Sequence, residues 1–247
     1  MRPLVVIPTY DEVDNIVEAI ERVRAAVPDA SVLVVDDNSP DGTADLVDDL
    51  ADDLADEQPA ATSAIDVLRR PDKDGLGSAY RAGFAWGLAR GHDVLVQMDA
   101  DLSHDPAALP SLLRAVDDGA DLAIGSRYVP GGSIPDWAWH RKALSRWGNR
   151  YASAMLRLSV ADATAGYRAY RASLLELLDL PSVRADGYGF QIEMTYRSAN
   201  RGARIVEVPI AFTDRTKGSS KMSSTIIVEA LALVTWWGVG ERMPFRR

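Results

Sequence analysis

The sequence predicts an α/β fold: a Rossmann-like, mostly parallel sheet with helices on both faces. Three observations carry that expectation. Short apolar runs alternate four times with segments whose apolar residues recur at helical spacing. Several of these runs stop in polar clusters, as parallel strands do where they surface at the ligand-binding edge of a sheet. A chain of 247 residues, 47% of them hydrophobic, is long enough for one sizeable core and fits one domain better than two. That domain is expected over 1–222, followed at 223–247 by an apolar, amphipathic C-terminal helix.

Leu4 to Pro8 is the first apolar run, and Thr9-Tyr10-Asp11-Glu12 is the loop after it. Val13, Ile16, Val17, Ile20, Val23 and Val27 then recur at helical spacing up to Pro28. Ser31 to Val35 is the second strand and ends in Asp36-Asp37-Asn38-Ser39-Pro40-Asp41-Gly42. A second helix carries Leu46, Val47, Leu50 and Leu54 before fading into a polar loop. Ile65 to Leu68 is the third strand, and Gly75-Leu76-Gly77 opens a third helix. This is not the dinucleotide GxGxxG pattern, because Tyr80 stands where its third glycine belongs.

The run Val94 to Met98 ends abruptly in Asp99-Ala100-Asp101, and Asp105-Pro106 reads as an N-cap with Pro at the first helical position. Leu109, Leu112, Leu113 and Val116 continue that helix. Asp121 to Ile124 is a fifth strand, ending in Gly125-Ser126-Arg127-Tyr128. A Gly/Pro/Trp stretch follows, long enough for a lid or binding loop. It leads to a helix with Leu144, Trp147, Tyr151, Met155 and Leu158, along which lie Arg141, Lys142, Arg146 and Arg150. Gly187 to Glu193 enters another helix, and Ile205 to Phe212 is a last strand that Pro209 places at an edge. The loop from Phe212 to Met222 combines Gly and Ser with three basic residues, and suits either an anion cradle or a solvated basic loop.

Composition excludes several chemistries. With no cysteine there are no disulfides or thiolate metal sites, and the three isolated histidines form no zinc pattern, so a metal here is oxygen-bound. A net charge of -9 argues against nucleic-acid binding. Acid is dense from Asp36 to Glu57, whereas bases crowd the later half, which leaves an anionic partner open on that side. No signal-peptide pattern opens the chain. Ile226 to Val239 is shorter than the roughly 20 residues that span a bilayer. With Trp236-Trp237 and the arginines after it, the segment suits an interfacial helix or, equally, a core helix whose Trp pair faces the domain.

Polar strand ends thus gather at one sheet edge: Thr9 to Glu12, Asp36 to Asn38, Asp99 to Asp101, and Arg127. Asp99 and Asp101 stand one residue apart on an expected extended backbone, which lets both face one side and share a hard divalent cation that bridges ligand phosphates. A nucleotide fits across such loops, with acidic groups on its base and ribose hydroxyls. The Asp pair also suits a turn that caps the next helix, and Asp37 a turn role.

Seven segments occur in register: VVIPTYDE (Val5 to Glu12), VDDNSPDG (Val35 to Gly42), DADLSH (Asp99 to His104), GSRY (Gly125 to Tyr128), TAGYRAY (Thr164 to Tyr170), GFQIE (Gly189 to Glu193) and FTDRTKGSSKM (Phe212 to Met222). Together they resemble family 2 glycosyltransferases of the polyprenyl-phosphate (dolichol-phosphate) mannose synthase type, most nearly the bacterial polyprenol monophosphomannose synthases, over almost the whole chain. The resemblance implies a GT-A fold, a GDP-mannose donor, Mg²⁺ or Mn²⁺, and inverting transfer to a polyprenyl monophosphate. By motif it implies Pro8, Tyr10, Glu12 and Asp37 around the guanosine. It puts Asp99, Ala100 and Asp101 at the diphosphate, with metal on Asp99 and Asp101, and Arg127 toward sugar and phosphates. Arg141, Arg215, Ser220 and Lys221 would hold the acceptor phosphate, and Asp101, Arg127, Arg215 and Lys221 the catalytic roles. Some relatives have Gln where Ser103 stands, leaving that metal position to Ser103 or water. Many relatives carry C-terminal transmembrane helices, absent here. The expectation is an enzyme peripheral on the cytoplasmic face of the membrane, or one with a separate membrane-anchoring subunit, and no nucleic-acid partner. Rival readings keep the fold with UDP-glucose as donor or a soluble acceptor. A non-catalytic nucleotide-sugar-binding subunit is disfavoured by the complete Asp pair and the basic loop.

Overall fold

Side chains alternate across a strand, and in this chain both sides are apolar. The computed structural model describes residues 1–57, 64–214 and 224–240. Its strands are β1 (Pro3–Thr9), β2 (Ser31–Asp36), β3 (Ile65–Arg69), β4 (Val94–Gln97), β5 (Leu122–Ser126), β6 (Arg168–Arg171) and β7 (Ile205–Pro209). The helices are α1 (Ile16–Ala26), α2 (Thr43–Glu57), α3 (Leu76–Ala89), α4 (Leu109–Asp117), α5 (Trp139–Leu156), α6 (Ala172–Leu177), α7 (Gly187–Asn200) and α8 (Ser224–Gly240). Val5, Ile7, Val32, Val34, Val94 and Val96 pack with α1, α2 and α4 in one layer. Leu4, Val6, Leu33, Val35 and Leu95 pack with α3, α5, α6, α7 and α8 in the other. Each such side chain contributes about 1.5–3 kcal/mol by leaving water. The approach of α3 to the sheet needs glycine: a Cβ at Gly83 would lie 2.4 Å from Val6 Cγ1.

The sheet order is β3-β2-β1-β4-β6-β5-β7. All strands run parallel except β6, which is antiparallel to both β4 and β5. This corrects the sequence-based pattern, which read residues 162–170 as motif and not as strand. β6 is only Arg168-Ala169-Tyr170-Arg171, and its Arg168 is fully buried yet satisfied by Ala163 O, Ala165 O, Gln191 O, Thr195 Oγ1 and Tyr170 Oη. A buried arginine inside a four-residue strand carries no alternation signal. β7 occupies an edge, as Pro209 indicates.

The carboxyl ends of β1, β2, β4 and β5 and the start of β6 meet at one edge of the sheet. Asp105 caps the turn of 3₁₀ helix before α4, accepting the Ala107 N–H at 3.0 Å, with Pro106 next to it as expected. Asp41 stitches two neighbouring loops, accepting Val13 N at 3.0 Å, Thr43 N at 3.0 Å and Thr43 Oγ1 at 2.6 Å. Burial alone raises the Asp41 carboxyl, but these hydrogen bonds outweigh it and hold the pKa below the ordinary aspartate value. A carboxyl depressed in the folded state adds stability above its unfolded-state pKa and loses it as pH falls. Asp41→Ala should therefore cost about 1–2 kcal/mol at neutral pH. The difference should shrink below about pH 4, which urea denaturation at the two pH values measures.

Two helices depart from expectation. The apolar periodicity of α5 does not mark its buried face: Asn149, Ala152 and Leu156 are buried, whereas Leu144 and Trp147 are each 53% exposed and Trp139 is 80% exposed. Leu158 lies beyond the helix, which ends at Arg157 in the left-handed region. In α8 the two tryptophans divide, Trp237 stacking on Tyr196 at 6.1 Å while Trp236 is 75% exposed. Val234 is buried in the same core as the sheet, and the expected division at residue 222 falls outside the described residues. Among the described residues no helix is long and apolar enough to cross a membrane.

Candidate active site

At the β1 and β2 ends, two adjacent aspartates take different tasks. Asp36 is structural, its carboxylate accepting Thr9 Oγ1 at 2.9 Å and Ser39 Oγ at 2.6 Å. Asp37 accepts Arg70 Nη1 at 2.6 Å, and Arg70 Nη2 reaches Ser78 Oγ at 2.7 Å. Burial pushes the Asp37 carboxyl up, only partly offset by Arg70. Glu12 receives Asn15 Nδ2 at 2.9 Å, and Lys73 Nζ stands 3.6 Å over the Tyr10 ring. Pro8, Tyr10, Glu12 and Asp37 thus share one corner, as expected, with Arg70 and Lys73 as unforeseen neighbours. The adjoining N-terminus of α3 is closed by Asp186, whose Oδ1 accepts Gly77 N at 2.6 Å. Only glycine fits at position 75, where φ is +85° and a Cβ would stand 1.9 Å from Asp186 Oδ2.

Asp99 lies past the end of β4, and Ala100 and Asp101 lie in the bend that follows it. The reversal runs through Leu102, at φ +62°, a conformation that costs a leucine about 1–2 kcal/mol. Tyr80 Oη donates to Asp99 Oδ1 at 3.0 Å. Burial, with Asp99 and Asp101 beside it, pushes the Tyr80 phenol well above its usual range, so it stays a neutral donor. His104 Nδ1 accepts the Asp99 N–H at 3.2 Å and stands 3.8 Å from Asp99 Oδ2. Asp101 Oδ1 accepts Ser103 N at 3.1 Å.

These residues fit a hard cation. Ser103 Oγ is buried with no hydrogen-bond partner among the described residues, as is Gln191 Oε1. Beside Asp99, Gly166 leaves an opening: a Cβ there would meet Asp99 Oδ2 at 3.6 Å, His104 Cε1 at 3.5 Å and Gln191 Nε2 at 3.9 Å. Two carboxylates and an orphaned hydroxyl are all oxygen donors, the set that Mg²⁺ and Mn²⁺ take. Among the described residues no three His, Asp or Glu side chains close a metal cage, so such an ion would be shared with a ligand.

Arg127 is not poised freely at the edge. Its Nε and Nη2 grip Asp162 at 2.7 and 2.6 Å, Nη2 also reaches Thr164 Oγ1 at 2.8 Å, and both partners of the ion pair are buried. Burial works against its charge, but Asp162 outweighs burial and holds the guanidinium pKa above the ordinary arginine value. Asp162 is fixed in turn by Glu207, which accepts Ala161 N at 2.7 Å and Asp162 N at 2.9 Å. Arg141 lies 3.8 Å over Trp137 and 3.3 Å from Asp214, which also accepts Trp137 Nε1. Arg127, Tyr128, Ser133, Ile134, Lys142 and Arg146 line an open cavity of about 270 Å³. Arg215, Ser220 and Lys221 lie outside the described residues. Sequence reasoning missed Asp162, Tyr80 and Arg70 because each acts on a partner remote in sequence, and it quoted Gln191 only within the GFQIE segment. A polar residue just ahead of the TAGYR segment was the one visible sign of Asp162.

A mostly parallel sheet whose one antiparallel strand is β6, with a carboxylate pair and a buried arginine at the ends of its strands, is the architecture of a nucleotide-sugar transferase of the GT-A kind. The chain belongs to glycosyl transferase family 2, whose model matches residues 4–178. It is 54% identical to an undecaprenyl-phosphate mannosyltransferase from Micrococcus luteus, over 98% of this chain and 96% of that one. It is 52% identical to a polyprenol monophosphomannose synthase from Mycolicibacterium smegmatis, over 100% and 90% of the two chains. Among solved structures, a Pyrobaculum calidifontis mannosyltransferase in complex with GDP-Man and Mn²⁺ shares the fold at TM-score 0.57 and 16% identity, over 97% of this chain and 72% of that one.

Proposed function

We propose that the chain transfers mannose from GDP-mannose to a polyprenyl monophosphate, with inversion at the anomeric carbon, at the cytoplasmic surface of the membrane. The observation that carries this reading is the approach of oppositely charged groups to one half-buried side chain: the Tyr188 phenol feels the charge of Asp99 and that of Arg127 and Arg141, and Arg127 lines the cavity with Lys142 and Arg146. Mg²⁺ or Mn²⁺ held by Asp99 and Asp101, with Ser103 or water completing the set, supplies a fixed positive charge against the departing diphosphate. The corner of Pro8, Tyr10, Glu12 and Asp37 binds guanosine, with Ala100 beside the diphosphate. A lipid phosphate is already anionic at neutral pH, so the nucleophile needs positioning more than deprotonation. Arg127, held rigid by Asp162, and Arg141, held on Trp137, orient it, and Arg215, Ser220 and Lys221 add anion contacts. Cations fixed before the reaction stabilise developing phosphate charge without reorganising.

The test is incubation of the protein with Mg²⁺, a short polyprenyl phosphate in detergent, and radiolabelled GDP-mannose or UDP-glucose, with label counted in the organic phase. Label from GDP-mannose is expected. Label from UDP-glucose alone overturns the sugar, and label confined to the aqueous phase overturns the lipid acceptor.

A further inference from the structure

Asp99 is held by a side chain that solvent does not reach. Tyr80 of α3 is fully buried, its ring stacked on Phe84 and on Phe190 with centroids 6.0 Å away in each case. Packing of that kind fixes the ring, and its Oη stands 3.0 Å from Asp99 Oδ1. Burial, with Asp99 and Asp101 beside it, keeps the phenol protonated, so the hydroxyl donates and the carboxylate accepts.

The two carboxylates are treated alike. Asp101 Oδ1 accepts Ser103 N at 3.1 Å, so each aspartate has one oxygen engaged by an N–H or O–H of the protein itself. Asp99 Oδ2 borders the opening beside Gly166, where an added Cβ would meet it at 3.6 Å. The Ser103 hydroxyl, buried and without a hydrogen-bond partner among the described residues, brings a third kind of oxygen to the same bend.

Hard cations differ in how they use a carboxylate. Ca²⁺ gathers about six to eight oxygens and readily takes both oxygens of one aspartate, whereas Mg²⁺ demands a tight octahedron that single oxygens fill, an arrangement Mn²⁺ shares. A carboxylate with one oxygen pinned therefore favours the smaller ions.

We infer that Tyr80 sets the metal selectivity of the site: by holding Asp99 Oδ1 it limits Asp99 to one oxygen for the cation, which admits Mg²⁺ or Mn²⁺ and disfavours Ca²⁺. This rests on the proposed binding of the metal by Asp99 and Asp101 and adds how the ion is chosen. Tyr80 acts through Asp99 and is a positioning residue.

The experiment is a titration of the full chain with Mn²⁺ in the presence of GDP, followed by electron paramagnetic resonance, and then displacement of the bound Mn²⁺ by Ca²⁺. The same competition with GDP alone is the reference. Against wild type, Ca²⁺ should compete at least about tenfold less well than against GDP alone. In Tyr80→Phe, which removes one oxygen and keeps the stacked ring, that preference should fall at least about fivefold, while the melting temperature drops by no more than about 4 °C. Phe84→Leu disturbs the same packing but keeps the hydroxyl, so its preference should match wild type. The ratio between the two ions decides, because a merely structural loss weakens both together. An unchanged ratio in Tyr80→Phe overturns the inference and leaves the proposed function standing. So does an equal fall in Phe84→Leu, or a wild type no more selective than GDP alone. Wild type that binds no Mn²⁺ beyond what GDP binds overturns the metal site of the proposed function, and the selectivity with it.

Discussion

Asp101→Asn should lower turnover of GDP-mannose by about two to three orders of magnitude, the scale of losing a main electrostatic element of a transfer site. The substitution is chosen to separate charge from fold. Asp101 is buried, and its Oδ1 accepts the Ser103 N–H, an acceptor that the asparagine carbonyl preserves. The bend through Leu102 should therefore survive and the melting temperature should hardly move. What disappears is one of the two charges that meet the Tyr80 phenol. Titration of Mn²⁺ in the presence of GDP checks the assignment apart from catalysis: wild type should bind the ion and Asp101→Asn should bind it at least about tenfold more weakly. Normal turnover in the variant would remove Asp101 from the site. Asp99→Asn should show the same loss in turnover. Its readout is less clean, because Asp99 also receives Tyr80 Oη and offers its N–H to His104.

Much of this corner is legible in the sequence, and the physical reason is locality. A buried strand that ends in acid announces itself within a few residues, so β1, β2, β4 and β5 and their polar ends can be placed from Leu4, Ser31, Val94 and Asp121 onward. The Asp105-Pro106 cap is likewise a contact two residues long. Long-range pairing is not legible. Nothing near Arg127 tells that Asp162 closes on it, nor that Asp36 serves its own loop while the neighbouring Asp37 meets Arg70. β6 escapes because Arg168 replaces the apolar residue that alternation requires, its charge met by Ala163 O, Ala165 O and Tyr170 Oη nearby and by Gln191 O and Thr195 Oγ1 of α7. The apolar period of α5 misleads in the opposite direction. Periodicity reports which residues share a face, and only the neighbouring helices decide whether that face is covered.

Asp162→Ala should be the most destabilising of the substitutions considered, by about 3–5 kcal/mol, because it strands a buried guanidinium. For a chain of this size that corresponds to a melting temperature lower by roughly 10 °C. The loss does not measure how much the ion pair stabilises the fold. Replacing both partners by apolar residues of similar volume, Arg127→Met with Asp162→Leu, should recover most of it, since neither charge is then buried alone. Denaturant unfolding of wild type, both single variants and the double variant gives the coupling energy directly. Catalysis should part company with stability in this cycle. The restored double variant should remain at least about a hundredfold slower than wild type, because its cavity has lost the rigid cation that the proposed function sets against the phosphate. Recovery of both stability and rate would assign Arg127 to the framework alone. Recovery of stability without rate makes Asp162 a positioning residue: through Thr164 Oγ1 and Glu207 it holds one arginine at the edge of the sheet where the two anionic substrates must meet.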